Sequence, residues 1–190
     1  MTRQYPAVAF TDSVRAVQDH YGTRHQNEKL AASDFDDRRF SNREAEFIAE
    51  RDSFYLASVN EQGWPYVQFR GGPKGFLKVL DEGTLAYADF RGNLQYITTG
   101  NVAHDERVSL ILMDYAGRKR LKIMARAEIF DAADHPEWIA QVEDPDYRAR
   151  VERAVVLRVE AFDWNCPQHI TPRFTEEEYI VQRSSTVHPR

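Results

Sequence analysis

A single cysteine, Cys166, stands in 190 residues, so no internal disulfide can form and a reducing compartment, the cytoplasm, is expected. No apolar run approaches the ~20 residues that a membrane-spanning helix needs, and the mean hydropathy is −0.62. The opening residues MTRQYPAVAFTDSVR turn polar too early to read as a secretory leader. Basic charge is not in excess either. The 25 Lys and Arg stand against 30 Asp and Glu, a formal net charge of −5. Such a chain carries no global positive field for nucleic acid or an anionic membrane, so any anion must be met locally. Repeats, low-complexity tracts and a linker that would split the chain are also missing. What remains is enough for one packed domain, since 42% of the residues are hydrophobic and 12% aromatic.

The first fifty residues read as helical. Val14, Val17 and Tyr21 share one face of an amphipathic stretch, and Ser41-Asn42-Arg43-Glu44 ahead of Phe47 and Ile48 is a capping box. Residues 25–39 mix charges without a period and read as a surface loop. From Ser53 the period changes to two. Residues 53–60 and 64–70 around Glu61-Gln62-Gly63 predict one hairpin, and residues 76–80 and 84–88 around Asp81-Glu82-Gly83 predict a second. Strands are expected over 108–113, 120–130 and 154–162, with helices over 93–100 and 137–151. Seven short strands and few crossovers long enough for βαβ units point to an antiparallel barrel.

Four segments carry polar groups that packing does not require. In Arg70-Gly71-Gly72-Pro73-Lys74-Gly75 the glycines permit close backbone approach and the arginine can neutralise a phosphate, although a plain connection between strands looks the same. Asp89-Phe90-Arg91-Gly92-Asn93-Leu94 follows a strand and opens an expected helix. Its N–H groups and Arg91 suit an anion, unless Asp89 or Asn93 merely caps the helix. Arg118, Arg120, Lys122 and Arg126 share one face of a strand, while Leu121, Ile123 and Ala125 share the other. Those cations repel one another unless a bound anion or acidic neighbours relieve them. Residues 163–174 hold two prolines and Trp164, which predicts a rigid irregular tail. There Cys166 and His169 supply two metal ligands where a structural site needs about four, so no metal is expected. No general acid or base stands out.

In order along residues 47–174, PYVQFRGGPKGFLKVLD, YADFRGN, NVAHDERVSLILMDY, RKRLKIMARAEI and DWNCPQHITPRF resemble the pyridoxamine 5′-phosphate oxidase family of FMN-binding split barrels. The resemblance implies a mainly β fold with flanking helices, a six-stranded antiparallel split β-barrel. It further implies a homodimer with FMN bound at the subunit interface. Residues 1–46 would then be a helical extension packed on the barrel, 47–174 the FMN-binding domain and 175–190 a C-terminal tail.

Carried over by position, the family's phosphate lysine matches Lys78. Its arginine falls on Pro73, leaving Arg70 or the amides of Gly71 and Gly72 to compensate. Its tyrosine-threonine pair matches Tyr87 and Ala88. Its basic pair falls on Asn93 and Leu94, where Arg91 and the Gly92 amide would stand in. A ring-reading glutamine falls on Arg120, and Trp164 and Arg173 match residues that close over the cofactor. The substrate segment between those two is rewritten as Cys166-Pro167-Gln168-His169. The resemblance therefore implies an FMN-dependent oxidoreductase acting on a small molecule other than pyridoxamine phosphate. Arg120 or Lys122 would steady the anionic reduced flavin. The groups at Arg70 to Lys78, Arg91 and Arg118 to Arg126 would converge on one flavin phosphate and its ring. The alternatives are a non-catalytic flavin carrier or redox sensor, or a haem- or deazaflavin-binding relative. Neither nucleic acid nor membrane is expected as a partner.

Overall fold

In the computed structural model, which describes residues 3–186, both predicted hairpins form. They are β1 (Ser53–Val59) with β2 (Pro65–Gly71), and β3 (Lys78–Asp81) with β4 (Thr84–Phe90). Then follow β5 (Arg107–Asp114), β6 (Lys119–Asp131) and β7 (Val151–Trp164). The seven strands make one sheet in the order β2-β1-β5-β6-β7-β4-β3, and every adjacent pair is antiparallel. The fold is a mainly β antiparallel split barrel with flanking helices. It has seven strands where the resemblance implies six, because the four-residue β3 still pairs with β4 through Lys78↔Ala86 and Val79↔Leu85.

Four strands separate β2 from β4 in the sheet order, yet Arg70 on β2 reaches Asp89 on β4 at 2.6 Å. Beside them Phe54 of β1 packs edge-on against Tyr87 of β4, with ring centroids 5.2 Å apart. The sheet curls until its halves meet, and side chains rather than backbone hydrogen bonds close the seam.

Alternation builds the interior. Phe54 and Leu56, Leu110 and Leu112, Leu121 and Ile123, and Leu85 and Tyr87 point inward and are buried. The helix α4 (Asn42–Ala49), opened by the predicted capping box at Ser41, adds Phe47 and Ile48 to this core. On the outer side of β4 and β7, Ala86, Ala88, Ala154 and Val156 pack under Trp138 and Ile139 of α6 (Pro136–Val142). Because β4 lies between two apolar layers, every residue from Thr84 to Asp89 is buried. A strand covered on both faces loses the polar alternation of a half-exposed one.

The N-terminal extension comprises α1 (Gln4–Ala9), α2 (Asp12–His20) and α3 (Arg24–Ala31). Asp37, 1% exposed, accepts hydrogen bonds from the backbone N–H of Gln4 and Tyr5 and from Arg3 Nε. It thereby caps α1 from outside the helix. Arg3 also pairs with Asp163 of β7 at 2.8 Å, fastening α1 to the barrel.

Four expectations about helices need correction. Part of the loop expected over 25–39 is α3, supported by an i,i+4 pair of Arg24 with Glu28 at 2.8 Å. The helix expected over 137–151 stops at Val142, where Glu143 is already extended and Pro145 follows. The helix expected over 93–100 is α5 (Ile97–His104), displaced toward the C-terminus. Within the expected tail lies α7 (Glu176–Thr186), and residues 187–190 of that tail are outside the described residues. The apolar face of α2 exists, but Val14, Val17 and Tyr21 are exposed. No helix among the described residues is long and apolar enough to cross a membrane.

Candidate anion-binding site

At the seam a cleft of about 50 Å³ opens between β2, the end of β4, the start of β7 and the loop that leads into α5. Its floor is an ion-pair triad. Asp89 accepts from Arg70 Nη1 at 2.6 Å and from Arg153 Nε and Nη2 at 2.9 and 2.8 Å. The side chains of Asp89, Arg70 and Arg153 are 6%, 16% and 12% exposed. One carboxylate thus holds two guanidiniums in a largely desolvated place, and Glu152, 17% exposed, engages Arg153 as well at 3.2 Å. Burial opposes the charge on Arg153, but its bonds to Asp89 outweigh this and raise its pKa. Two polar atoms in the triad's surroundings are buried without a hydrogen-bond partner, Arg70 Nε and the Tyr87 hydroxyl. Burial pushes the Tyr87 phenol well above its ordinary value.

The wall of the cleft is the loop 91–96. Leu94 and Tyr96 have φ of 62° and 52°, a left-handed conformation that costs non-glycine residues about 1–3 kcal/mol each. Here the sequence expectation fails in one respect, because Gly92 and Asn93 lie in an irregular loop ahead of the helix. The Asn93 side chain accepts from the Gln95 N–H at 3.2 Å and caps nothing. Neither the Gly92 nor the Asn93 N–H donates to a protein acceptor among the described residues, and both residues line the cleft. Thr98 Oγ1 donates to Gln68 of β2 at 3.0 Å and ties α5 to the seam. Arg91 is exposed, with Nε 3.7 Å from Glu152.

The other expected residues lie elsewhere. A Cβ on Gly72 would stand 2.8 Å from the Phe76 ring, and one on Gly71 would stand 2.9 Å from the Phe69 ring. The Gly72 N–H already donates to Asp52 O at 2.9 Å. These glycines make room for aromatic packing, so the Gly72 amide does not compensate for Pro73. Lys78 stands opposite Ala86, and neither it nor Tyr87 nor Ala88 lines the cleft.

Within one protomer the expected convergence of three cation groups does not occur. Arg70 is paired with inward-facing Phe54, whereas Arg120 and Lys122 flank inward-facing Leu121 and so occupy the opposite face of the sheet. Lys122 Nζ lies 5.0 Å from the centre of the Tyr5 ring of α1. Arg126 is relieved by acidic neighbours, Glu106 and Glu160, each at 2.6 Å. Arg118 sits in the turn before β6 with φ 53°. Arg120 Nε is buried without a partner.

Trp164 fastens α4, donating from Nε1 to Glu44 Oε1 at 2.7 Å beneath the Arg43 guanidinium. Burial acts to raise the Glu44 carboxyl, but hydrogen bonds from Ser41 and Trp164 hold it below the ordinary value. Arg173 stacks on Tyr115 at 5.1 Å beside an open groove that also touches Arg51 and Lys74. Cys166, Gln168 and His169 are exposed on the irregular segment after β7. Among the described residues no three His, Cys, Asp or Glu gather as metal ligands.

Arg153 and Tyr96 are absent from the sequence reading. Arg153 is the register partner of Asp89 across 64 residues of chain, so only correct strand pairing would reveal it. Taken together, the cleft suits a phosphate group. Two fixed arginines and two free amides are its donors, and its volume holds a few water molecules' worth of polar ligand and no ring system.

The pyridoxamine 5′-phosphate oxidase family matches this sequence over residues 40–165. Among solved structures, a candidate pyridoxamine 5′-phosphate oxidase of Lactobacillus delbrueckii is 21% identical, with 66% of this chain and 94% of that chain covered and a TM-score of 0.51. HupZ of Group A Streptococcus is 15% identical, with 71% and 100% covered and a TM-score of 0.51. At such identities the likeness shows the fold. No curated protein matches the sequence. The family match spans well over half of the residues and coincides with the split barrel, and the chain belongs to the pyridoxamine 5′-phosphate oxidase family.

Proposed function

We propose that this protein is a cytoplasmic FMN-binding flavoprotein that oxidises or reduces a small molecule other than pyridoxamine phosphate. The observation that carries the reading is the seat at the seam, where Arg70 and Arg153 stand over Asp89 beside the free N–H groups of Gly92 and Asn93. The flavin would supply hydride or electron acceptance. The chain's own work is to bind the phosphate at the seam and to hold cationic groups, Arg120 and Lys122, for the ring. Those two residues face away from Arg70 within one protomer, so a ligand touching both groups needs a second copy of the chain.

A homodimer is supported by the outer face of the first hairpin. There the register pairs Tyr55 with Phe69 and Val59 with Pro65. Phe69 is 57% exposed and Trp64, in the turn, is 72% exposed. An apolar face of this kind on a folded domain marks an interaction surface. The exposed segment holding Cys166, Gln168 and His169 is the proposed substrate contact, and the free thiol there suits a reducing compartment.

One observation favours a second reading, a flavin carrier or redox sensor without turnover. Both carboxylates of the cleft, Asp89 and Glu152, are engaged by arginines, which leaves no free acid or base there. An absorption spectrum of the purified protein tests the proposal. Oxidised-flavin bands that bleach on adding NAD(P)H or a donor and return with oxygen support it. Flavin bands that never bleach favour the carrier, and a Soret band or deazaflavin fluorescence overturns FMN. Sedimentation at micromolar concentration tests the dimer.

A further inference from the structure

We infer that Arg153 is a phosphate-binding residue of the seam and that Asp89 is the positioning residue that aims both Arg153 and Arg70 at the ligand. The inference deepens the flavin reading and rests on it for the identity of the ligand, a flavin carrying a terminal phosphate monoester.

Asp89 holds two arginines, and Glu152 engages Arg153 at 3.2 Å and lies 3.7 Å from the half-exposed Arg91, so that two carboxylates face three guanidiniums around the cleft and one positive charge is in surplus. Arg70 spends Nη1 on Asp89, while its Nε is buried with no acceptor. A dianionic phosphate at the cleft would neutralise that surplus and accept the unspent donors. Arg153 is fixed from three sides. Its Nε and Nη2 donate to Asp89, Nη2 also donates to Glu152 at 3.2 Å, and its guanidinium lies 4.9 Å from the centre of the Tyr96 ring. Tyr96 belongs to the same strained loop that presents the Gly92 and Asn93 amides. Arginine and amides therefore reach the cleft as one preorganised unit, which limits the ordering cost of binding.

The test compares FMN with riboflavin, which lacks the phosphate, by fluorescence titration of the full chain. The wild type is expected to bind FMN at least about tenfold more tightly than riboflavin. In Arg153→Gln the FMN affinity should fall by about tenfold or more, while riboflavin affinity stays within about twofold. Arg153→Lys, which keeps the charge without the fork, should recover part of the loss. Asp89→Asn should lower the preference for FMN over riboflavin in a folded protein, a readout that a merely structural carboxylate would not move. An unchanged FMN affinity in Arg153→Gln overturns the inference, as does an equal loss for both flavins.

Failure of the flavin reading gives a different result, because the wild type would then bind neither flavin. In that case inorganic phosphate is titrated against chloride at equal ionic strength and the unfolding temperature is followed. Stabilisation by phosphate in the wild type and not in Arg153→Gln keeps the anion seat. Absence of any phosphate effect in the wild type overturns the seat as well.

Discussion

Two groups of cations look alike in this sequence and differ in the folded chain. Arg118, Arg120, Lys122 and Arg126 are close neighbours along β6 or its turn, yet they do not gather. Strand geometry places same-face side chains roughly 7 Å apart, and each finds its own surroundings. Tyr5 lies under Lys122 and carboxylates flank Arg126. Arg70 and Arg153 are far apart in sequence, yet they meet on one carboxylate because the sheet curls and β4 lies beside β7. Density of charge along a strand is thus a poor guide to an anion site. Convergence across a seam is the better one, and it depends on topology.

Removing the meeting point should break the contrast most severely. Asp89→Ala leaves the largely buried Arg70 guanidinium unpaired and Arg153 with Glu152 alone, and the expected loss is about 3 kcal/mol of folding stability, read as a lower urea midpoint with unchanged slope. An equal midpoint would mean that the seam does not depend on the triad. Next comes Arg70→Ala, expected to weaken FMN binding by about tenfold, or 1.4 kcal/mol, and checked by flavin content after dialysis. Under the same dialysis Arg120→Ala should leave the preference for FMN over riboflavin intact, since it lies on the opposite face. If Arg120→Ala abolished that preference and Arg70→Ala did not, the two groups would exchange roles.

A smaller effect is expected at Trp164, matched by the family resemblance to a residue over the cofactor and found holding α4. Trp164→Phe removes one charge-assisted hydrogen bond to Glu44, worth about 1.5–3 kcal/mol before solvent and the remaining Ser41 bond reduce it. Its signature is in pH. Glu44 is held below its unfolded value, so the stability it contributes is present above that value and is lost as pH falls through the lower folded one. Without Trp164 the folded value moves back toward the unfolded one. The acid-side loss of stability below about pH 4.3 should then flatten in urea titrations. A slope equal to that of the wild type would remove Trp164 from the account.

Most of the sheet was legible because period-two alternation and glycine turns report local geometry, and the capping box at Ser41 marked α4 for the same reason. An equally local signal precedes α7: Thr175 and Glu178 form a reciprocal cap, with the Thr175 N–H donating to Glu178 at 2.8 Å. The site was legible only in part. Arg70, Gly92 and Asn93 stand out by composition and do line the cleft. The role of Gly72 is hidden, because a glycine that admits an aromatic ring is indistinguishable in sequence from one that admits a ligand. Arg153 lies in a run, Val151-Glu-Arg-Ala-Val-Val156, with nothing to distinguish it until its register against Asp89 is known.

The smallest effect closes the contrast from the other side. Arg126 has two short ion pairs, to Glu106 and Glu160, and looks as well connected as Arg153, but its side chain is 47% exposed where that of Arg153 is 12% exposed. Solvent screens such pairs, so they add little to stability. Arg126→Ala is therefore expected to leave the urea midpoint almost unchanged, with any small difference shrinking as salt rises, and to have no effect on flavin affinity. A larger, salt-insensitive loss would mean that Arg126 is covered in the assembled protein. Because Arg126 borders the groove lined by Val59 and Pro65, that result would extend the proposed dimer face from the first hairpin onto β6.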